Sequence, residues 1–108
     1  MTSLLTLRAG PAAMAHLREH GGLRADQIDI VPGASGGAKW IGIGGLDRYL
    51  FGQLLSQPRS RPLHLIGSSI GSWRMACLAQ RDPVAALARG HEAYIYRQRY
   101  TPKPDAHE

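Results

Sequence analysis

A short β-rich run that passes almost at once into Gly-x-Ser-x-Gly occurs twice in this chain, and that repetition limits its folding more than any other feature. The first copy is Ile28-Asp-Ile-Val31 followed by Pro32-Gly-Ala-Ser-Gly-Gly-Ala38; the second is Leu63-His-Leu-Ile66 followed by Gly67-Ser-Ser-Ile-Gly71. Glycine at this density cannot continue a strand, because it gives up the most backbone freedom on ordering and has no side chain to pack. Each run is therefore predicted to be a short buried strand that stops at a glycine turn. Helical sequence follows each turn: Trp40 to Leu55 has apolar residues at mostly helical spacing, and Trp73 to Gln80 has no breaker before Pro83. Strand, turn and helix, twice over, predict an α/β fold with a parallel sheet, since parallel neighbours need a crossover between them.

Further helices are predicted on either side. Ala9 to His20 has Pro11 near its start and Gly21-Gly22 just past its end. Asp82-Pro83 reads as the cap and first position of another, with Val84, Leu87, His91 and Tyr94 or Ile95 on one face. Gln57 to Pro62 is a surface loop, and residues 101–108 are a polar, flexible tail. Gly42, Gly44 and Gly45 each cost a helix about 1 kcal/mol relative to Ala, so they point to close backbone packing. A chain of 108 residues, 44% apolar and 19% charged, is read as one domain over residues 1–108 that relies on its core; disorder, collagen and coiled coil are disfavoured. The single cysteine, Cys77, excludes an internal disulfide framework and a cysteine-rich zinc site. No stretch of about 18 apolar residues and no leader pattern occurs, so a cytoplasmic location is expected. The net charge is +5, but eleven of the thirteen basic residues are arginines scattered from Arg8 to Arg99. Scatter argues for a solvated surface: no nucleic-acid partner is expected, whereas peripheral contact with anionic lipid headgroups is compatible.

The second glycine turn carries the sharpest chemical signal. A serine on a sharp strand-to-helix turn occupies a strained backbone and needs small residues two before and two after it, which Gly67 and Gly71 supply around Ser69. The helix that follows aims its free N–H groups, Ile70's among them, at the point where an oxyanion forms. Ser35, in Gly33-Ala-Ser-Gly-Gly37, satisfies the same pattern, so the pattern alone does not choose. Acyl transfer needs a nucleophile and a second source of N–H donors, and consecutive glycines expose such donors best. Ser69 is therefore assigned as nucleophile and Gly36-Gly37 as the oxyanion loop.

Other chemistries fit less well. A phosphate-binding loop would need glycine at Ala38 and Ser or Thr at Trp40, and a dinucleotide fingerprint would need glycine at Asp47. His64 within a strand and His91 on an apolar helix face are expected to be structural, and His91 to be hydrogen-bonded in the core. His16 and His20 have no third ligand in reach of a helical face, so no metal is implied, and no organic cofactor either. Trp40 and Trp73, each at a helix start, are expected to be core or helix-packing residues.

A strand ending in Gly-Gly-Ala-Lys39, a helix, a second strand ending in Gly-Ser-Ser-Ile-Gly and an arginine-bearing helix after it resemble the N-terminal part of a patatin-like phospholipase, over about residues 28–100. The resemblance implies a three-layer α/β/α sandwich and serine-dependent hydrolysis of lipid or small acyl esters through a Ser-Asp dyad. Gly36 and Gly37 match the loop glycines, Lys39 the basic position that partners the loop, and Ser69 the nucleophile between Gly67 and Gly71. The family loop opens with Asp and further glycines and closes with Gly, where this chain has Ala34, Ser35 and Trp40. The dyad aspartate is followed by glycine, and none of Asp26, Asp29, Asp47, Asp82 or Asp105 is. The expectation is an N-terminal part, or a truncated relative, of a longer hydrolase, inactive without its base. The alternative is a non-catalytic module that meets a lipid surface, a partner protein or a second copy through apolar area left uncovered.

Overall fold

The computed structural model describes residues 5–103 and 106, so the ends of both termini, including most of the last part of the expected tail, lie outside the described residues. Two short strands, β1 (Ile30–Gly33) and β2 (His64–Gly67), pair in parallel in the register Ile30 opposite His64 through Gly33 opposite Gly67. Both sit slightly later in the chain than predicted and include the glycine expected to end them. The cause lies upstream of β1. Ala25–Gln27 forms a 3-10 turn in which Arg24 N–H donates to Gln27 Oε1 (2.8 Å) and Ile28 N–H donates to Ala25 C=O (3.2 Å), so Ile28 is committed to the turn. At the other end, Ser68 N–H donates to Gly33 C=O (3.0 Å) and carries the pairing through both glycines.

The crossover between the strands is helical, as the parallel pairing requires. The single helix predicted from Trp40 is broken into α2 (Lys39–Gly42) and α3 (Gly44–Tyr49), hinged at Ile43 with φ −96° and ψ 10°. Past Tyr49 the chain widens into a π-helical turn, Leu50–Leu54, closed by Leu55 N–H donating to Leu50 C=O (2.8 Å). Of the three glycines read as close-packed, only Gly44 answers: a Cβ there would lie 2.6 Å from His91 Cε1, whereas Gly42 meets nothing within 4 Å.

After β2 come α4 (Ile70–Leu78) and α5 (Pro83–Glu92), the latter capped by Asp82 Oδ1 accepting from Ala85 N–H (3.0 Å) with Pro83 in the first turn. It runs on as a second π-helical turn, Ala93–Arg97. Helix α4 packs on both strands, and α5 packs on α4. The core between them is Trp40, Phe51, Leu55, Ile70, Met75, Leu78 and Leu87. The first helix, α1 (Pro11–Glu19), has no buried residue and stands apart from it.

The architecture is mixed α/β, with a two-stranded parallel sheet and five helices among the described residues. The helices cover one face of that sheet. Val31 and Leu65 pack against the core, while Ile30, Pro32, His64 and Ile66 on the opposite face are exposed. Part of the arginine scatter is structural rather than solvated. Arg59 donates to the carbonyls of Ala25 and Ile28, and Arg61 donates to Asp26 C=O and pairs with Asp29, so the loop before β2 is tied to the approach to β1. No helix among the described residues is long and apolar enough to cross a membrane.

Candidate active site

Ser69 sits between β2 and α4 with φ 53° and ψ −126°, and among the described residues it is the only non-glycine with a positive φ. Its neighbours explain how the chain tolerates so sharp a turn. A Cβ on Gly67 would lie 2.4 Å from Ser72 Cα, and one on Gly71 would lie 2.0 Å from Gly33 C=O. The first turn of α4 thus passes directly over the end of β1, an approach that any side chain would block. Ser68 C=O accepts from Gly71 N–H and Ser69 C=O from Ser72 N–H, both at 2.9 Å, which closes the turn. The Ser69 side chain caps nothing, so its hydroxyl is not spent on the helix, and the residue is exposed.

The glycine loop after β1 comes to the same place. Ser69, Ile70 and Gly37 share the wall of one cleft of about 340 Å³. Gly37 takes φ 54°, and the loop then folds into α2 through Lys39 N–H on Gly36 C=O (3.2 Å). Among the described residues, the N–H groups of Gly36, Gly37 and Ile70 have no backbone acceptor. Ile70 opens a helix, where the first N–H groups have no acceptor within the helix. Gly36 does not line the cleft, and neither does Ser35, which stays on the exposed loop. Lys39 is exposed, with its stem lying along Gly36. The rest of the cleft wall is Trp73, Tyr94, Gln98 and Tyr100, so none of the described residues lining it is a carboxylate or an imidazole.

Sequence reasoning missed two features. Asp47, on α3, is fully buried and accepts two hydrogen bonds from Arg74, on α4, at 2.8 and 2.7 Å. That pair holds the Arg74 guanidinium above its usual pKa and ties the helix that follows Ser69 to α3. A lone acid within the apolar stretch from Trp40 to Leu55 was the available signal. Second, of the two tryptophans expected in the core or between helices, Trp40 is buried in the core, whereas Trp73 packs edge-on against Trp40 and Tyr94 with 51% of its surface left open to the cleft. The position of Trp73 in the first turn of the helix that Ser69 precedes was the available signal, because helical side chains lean back toward the N-terminus.

His91 lies against Trp40, ring centroids 4.5 Å apart and edge-on, and does not reach the cleft. It is not the hydrogen-bonded core histidine expected, because its Nε2 is buried without a partner, as is Trp40 Nε1. Burial lowers its pKa below the usual histidine value, with Arg48 adding to the effect and Asp47 opposing it. Burial likewise pushes the Cys77 thiol up, so it is not primed as a nucleophile. His64 is exposed on the outer sheet face. His16 and His20 stack at 4.1 Å, and no cluster of three metal-ligating side chains occurs among the described residues. A second cleft of about 420 Å³, lined by Phe51, Leu55, Arg59 and Leu78, lies toward the other end of α4; its one hydroxyl, Ser56, is already bonded to Gly52 C=O (2.8 Å).

The fold and cleft define a mixed α/β chain with an exposed serine on a strained strand-to-helix turn. Comparison with family models, with curated proteins and with solved structures finds no match.

Proposed function

We propose that this chain carries the nucleophile and oxyanion half of a serine acyl hydrolase of the patatin-like kind, acting on lipid or small acyl esters. The observation that supports this most is the conformation of Ser69: a free hydroxyl on a positive-φ turn, facing a cleft it shares with Gly37. In this reading the Ser69 hydroxyl attacks the ester carbonyl and loses its proton to a base. The N–H groups of Gly37 and Ile70 stabilise the tetrahedral oxyanion, with Gly36 shaping the loop. The alcohol leaves, and water releases the acyl group from Ser69. The base in this reading is an aspartate from beyond these 108 residues, on a segment that would complete the three-layer sandwich as well as the dyad. No metal or organic cofactor takes part in these steps.

The test is labelling with a serine-directed fluorophosphonate, with the adduct located by peptide mass and Ser69→Ala as control. With the segment that supplies the aspartate present, an adduct on Ser69 supports the reading, and an adduct on Ser35 or none on the folded protein overturns it. A second reading, an interaction module without catalysis, is favoured by the exposed apolar face of Ile30, Pro32 and Ile66.

A further inference from the structure

Three aromatic rings stand around Ser69, and their arrangement bears on what the cleft accepts. Trp73 stands in the first turn of α4, the helix that Ser69 precedes, and helical side chains lean toward the N-terminus, so its indole shares the wall of the cleft with the serine. Tyr94 meets it at 6.2 Å between ring centroids and 84° between planes. Behind both is Trp40, buried at 2% exposure, edge-on to Trp73 at 6.4 Å and to Tyr94 at 5.6 Å. The two cleft rings are thereby held as perpendicular walls of one corner before any ligand arrives, which lowers the cost of binding. Tyr100, 60% exposed, adds a third ring, and Gln98 adds an amide.

We propose that the group this cleft takes from an acyl ester is a flat, uncharged ring, held by Trp73, Tyr94 and Tyr100 beside Ser69; the proposal rests on the nucleophile reading above. Three observations exclude the nearest alternatives. Ile70 is the sole aliphatic side chain lining the cleft among the described residues and is itself buried, so a long alkyl chain finds no aliphatic channel. Among the described residues the lining holds no carboxylate, and in the reading above the dyad aspartate is engaged by Ser69, so a quaternary ammonium would have ring faces but no counter-ion of its own, on a chain of net charge +5. Among the described residues it also holds no lysine or arginine, so an anionic group meets no basic partner there. The volume, about 340 Å³, is at the small end for ligand sites, which suits one ring and an ester rather than a diacyl lipid.

The experiment uses Ser69→Ala, which cannot turn over an ester, and follows the indole N–H signals by NMR. Phenyl acetate is titrated against cyclohexyl acetate, hexyl acetate and acetylcholine. Phenyl acetate is expected to shift the Trp73 signal and to bind most tightly, and Trp73→Leu in that background is expected to weaken it about tenfold. Tyr100→Leu, at a more exposed position, repeats the test should Trp73→Leu not fold. Equal or tighter binding of cyclohexyl or hexyl acetate, tighter binding of acetylcholine, or ring substitutions that leave phenyl acetate unaffected would each overturn the proposal. Because no reaction is read, aryl binding with an unlabelled Ser69 sinks the nucleophile reading alone, and a labelled Ser69 without aryl selectivity sinks only the ring.

Discussion

Ser69 keeps a side chain at φ 53°, a conformation that costs about 1–3 kcal/mol and that no hydrogen bond of its own side chain repays. Replacing it with glycine is expected to raise stability by about 1 kcal/mol in urea denaturation, whereas Ser69→Ala keeps the strain and stays near the parent. A glycine variant no more stable than the alanine variant would show that the turn is relaxed. The flanking glycines behave oppositely. Gly71→Ala puts a methyl 2.0 Å from the Gly33 carbonyl, where only backbone could yield, and is expected to cost about 3 kcal/mol or prevent folding. At this scale the sequence was informative up to a choice of two. Ser35 and Ser69 share one motif, and local spacing cannot separate them; what separates them is that Ser69 takes a positive φ and lines the cleft with Gly37, whereas Ser35 does not.

Between elements, the buried Asp47–Arg74 pair ties α4 to α3. Asp47→Ala leaves a guanidinium that is 15% exposed without its partner and is expected to cost about 3 kcal/mol, whereas the double change to Asp47→Leu with Arg74→Met restores most of it. A double variant as unstable as the single one would mean that the pair does more than neutralise itself. The α3–α5 contact adds a pH dependence. Burial puts the folded pKa of His91 below its unfolded value of 6.5, so the neutral ring favours the folded state. That contribution is whole above about pH 6.5 and is lost as the pH falls below it and through the folded value. The thermal midpoint is expected to drop between pH 7 and 5, and His91→Leu to flatten that slope; an unchanged slope would assign it elsewhere. Neither contact was legible beforehand, because Asp47 and Arg74 are 27 residues apart and nothing in either local pattern refers to the other. The strand-turn-helix alternation and the Asp82 cap were legible because each depends on neighbours within a few residues.

For the molecule as a whole, the accessible surface is 8248 Å², against roughly 5,900 Å² for a folded monomer of this mass. Its radius of gyration is 16.5 Å, against about 13 Å for a compact chain of this length. The outer sheet face contributes to that excess: Ile30 and Ile66 are 55% and 61% exposed. Ile66→Asp is therefore expected to cost less than about 1 kcal/mol and, if that face mediates self-association, to remove any concentration dependence from sedimentation velocity. Unfolding of the variant would show that the face is covered.

The sequence by itself determined the α/β alternation, the two glycine turns, the capped last helix and a serine on a strand-to-helix turn, because these follow from backbone freedom and hydrogen bonding within a few residues. Only the tertiary structure decided which serine faces a cleft with a glycine loop and that Trp73 stands open beside it. It also decided that Asp47 is buried on Arg74 and that one sheet face is bare. Those outcomes depend on which distant surfaces meet, and close packing between them is set by the whole arrangement rather than by any local pattern.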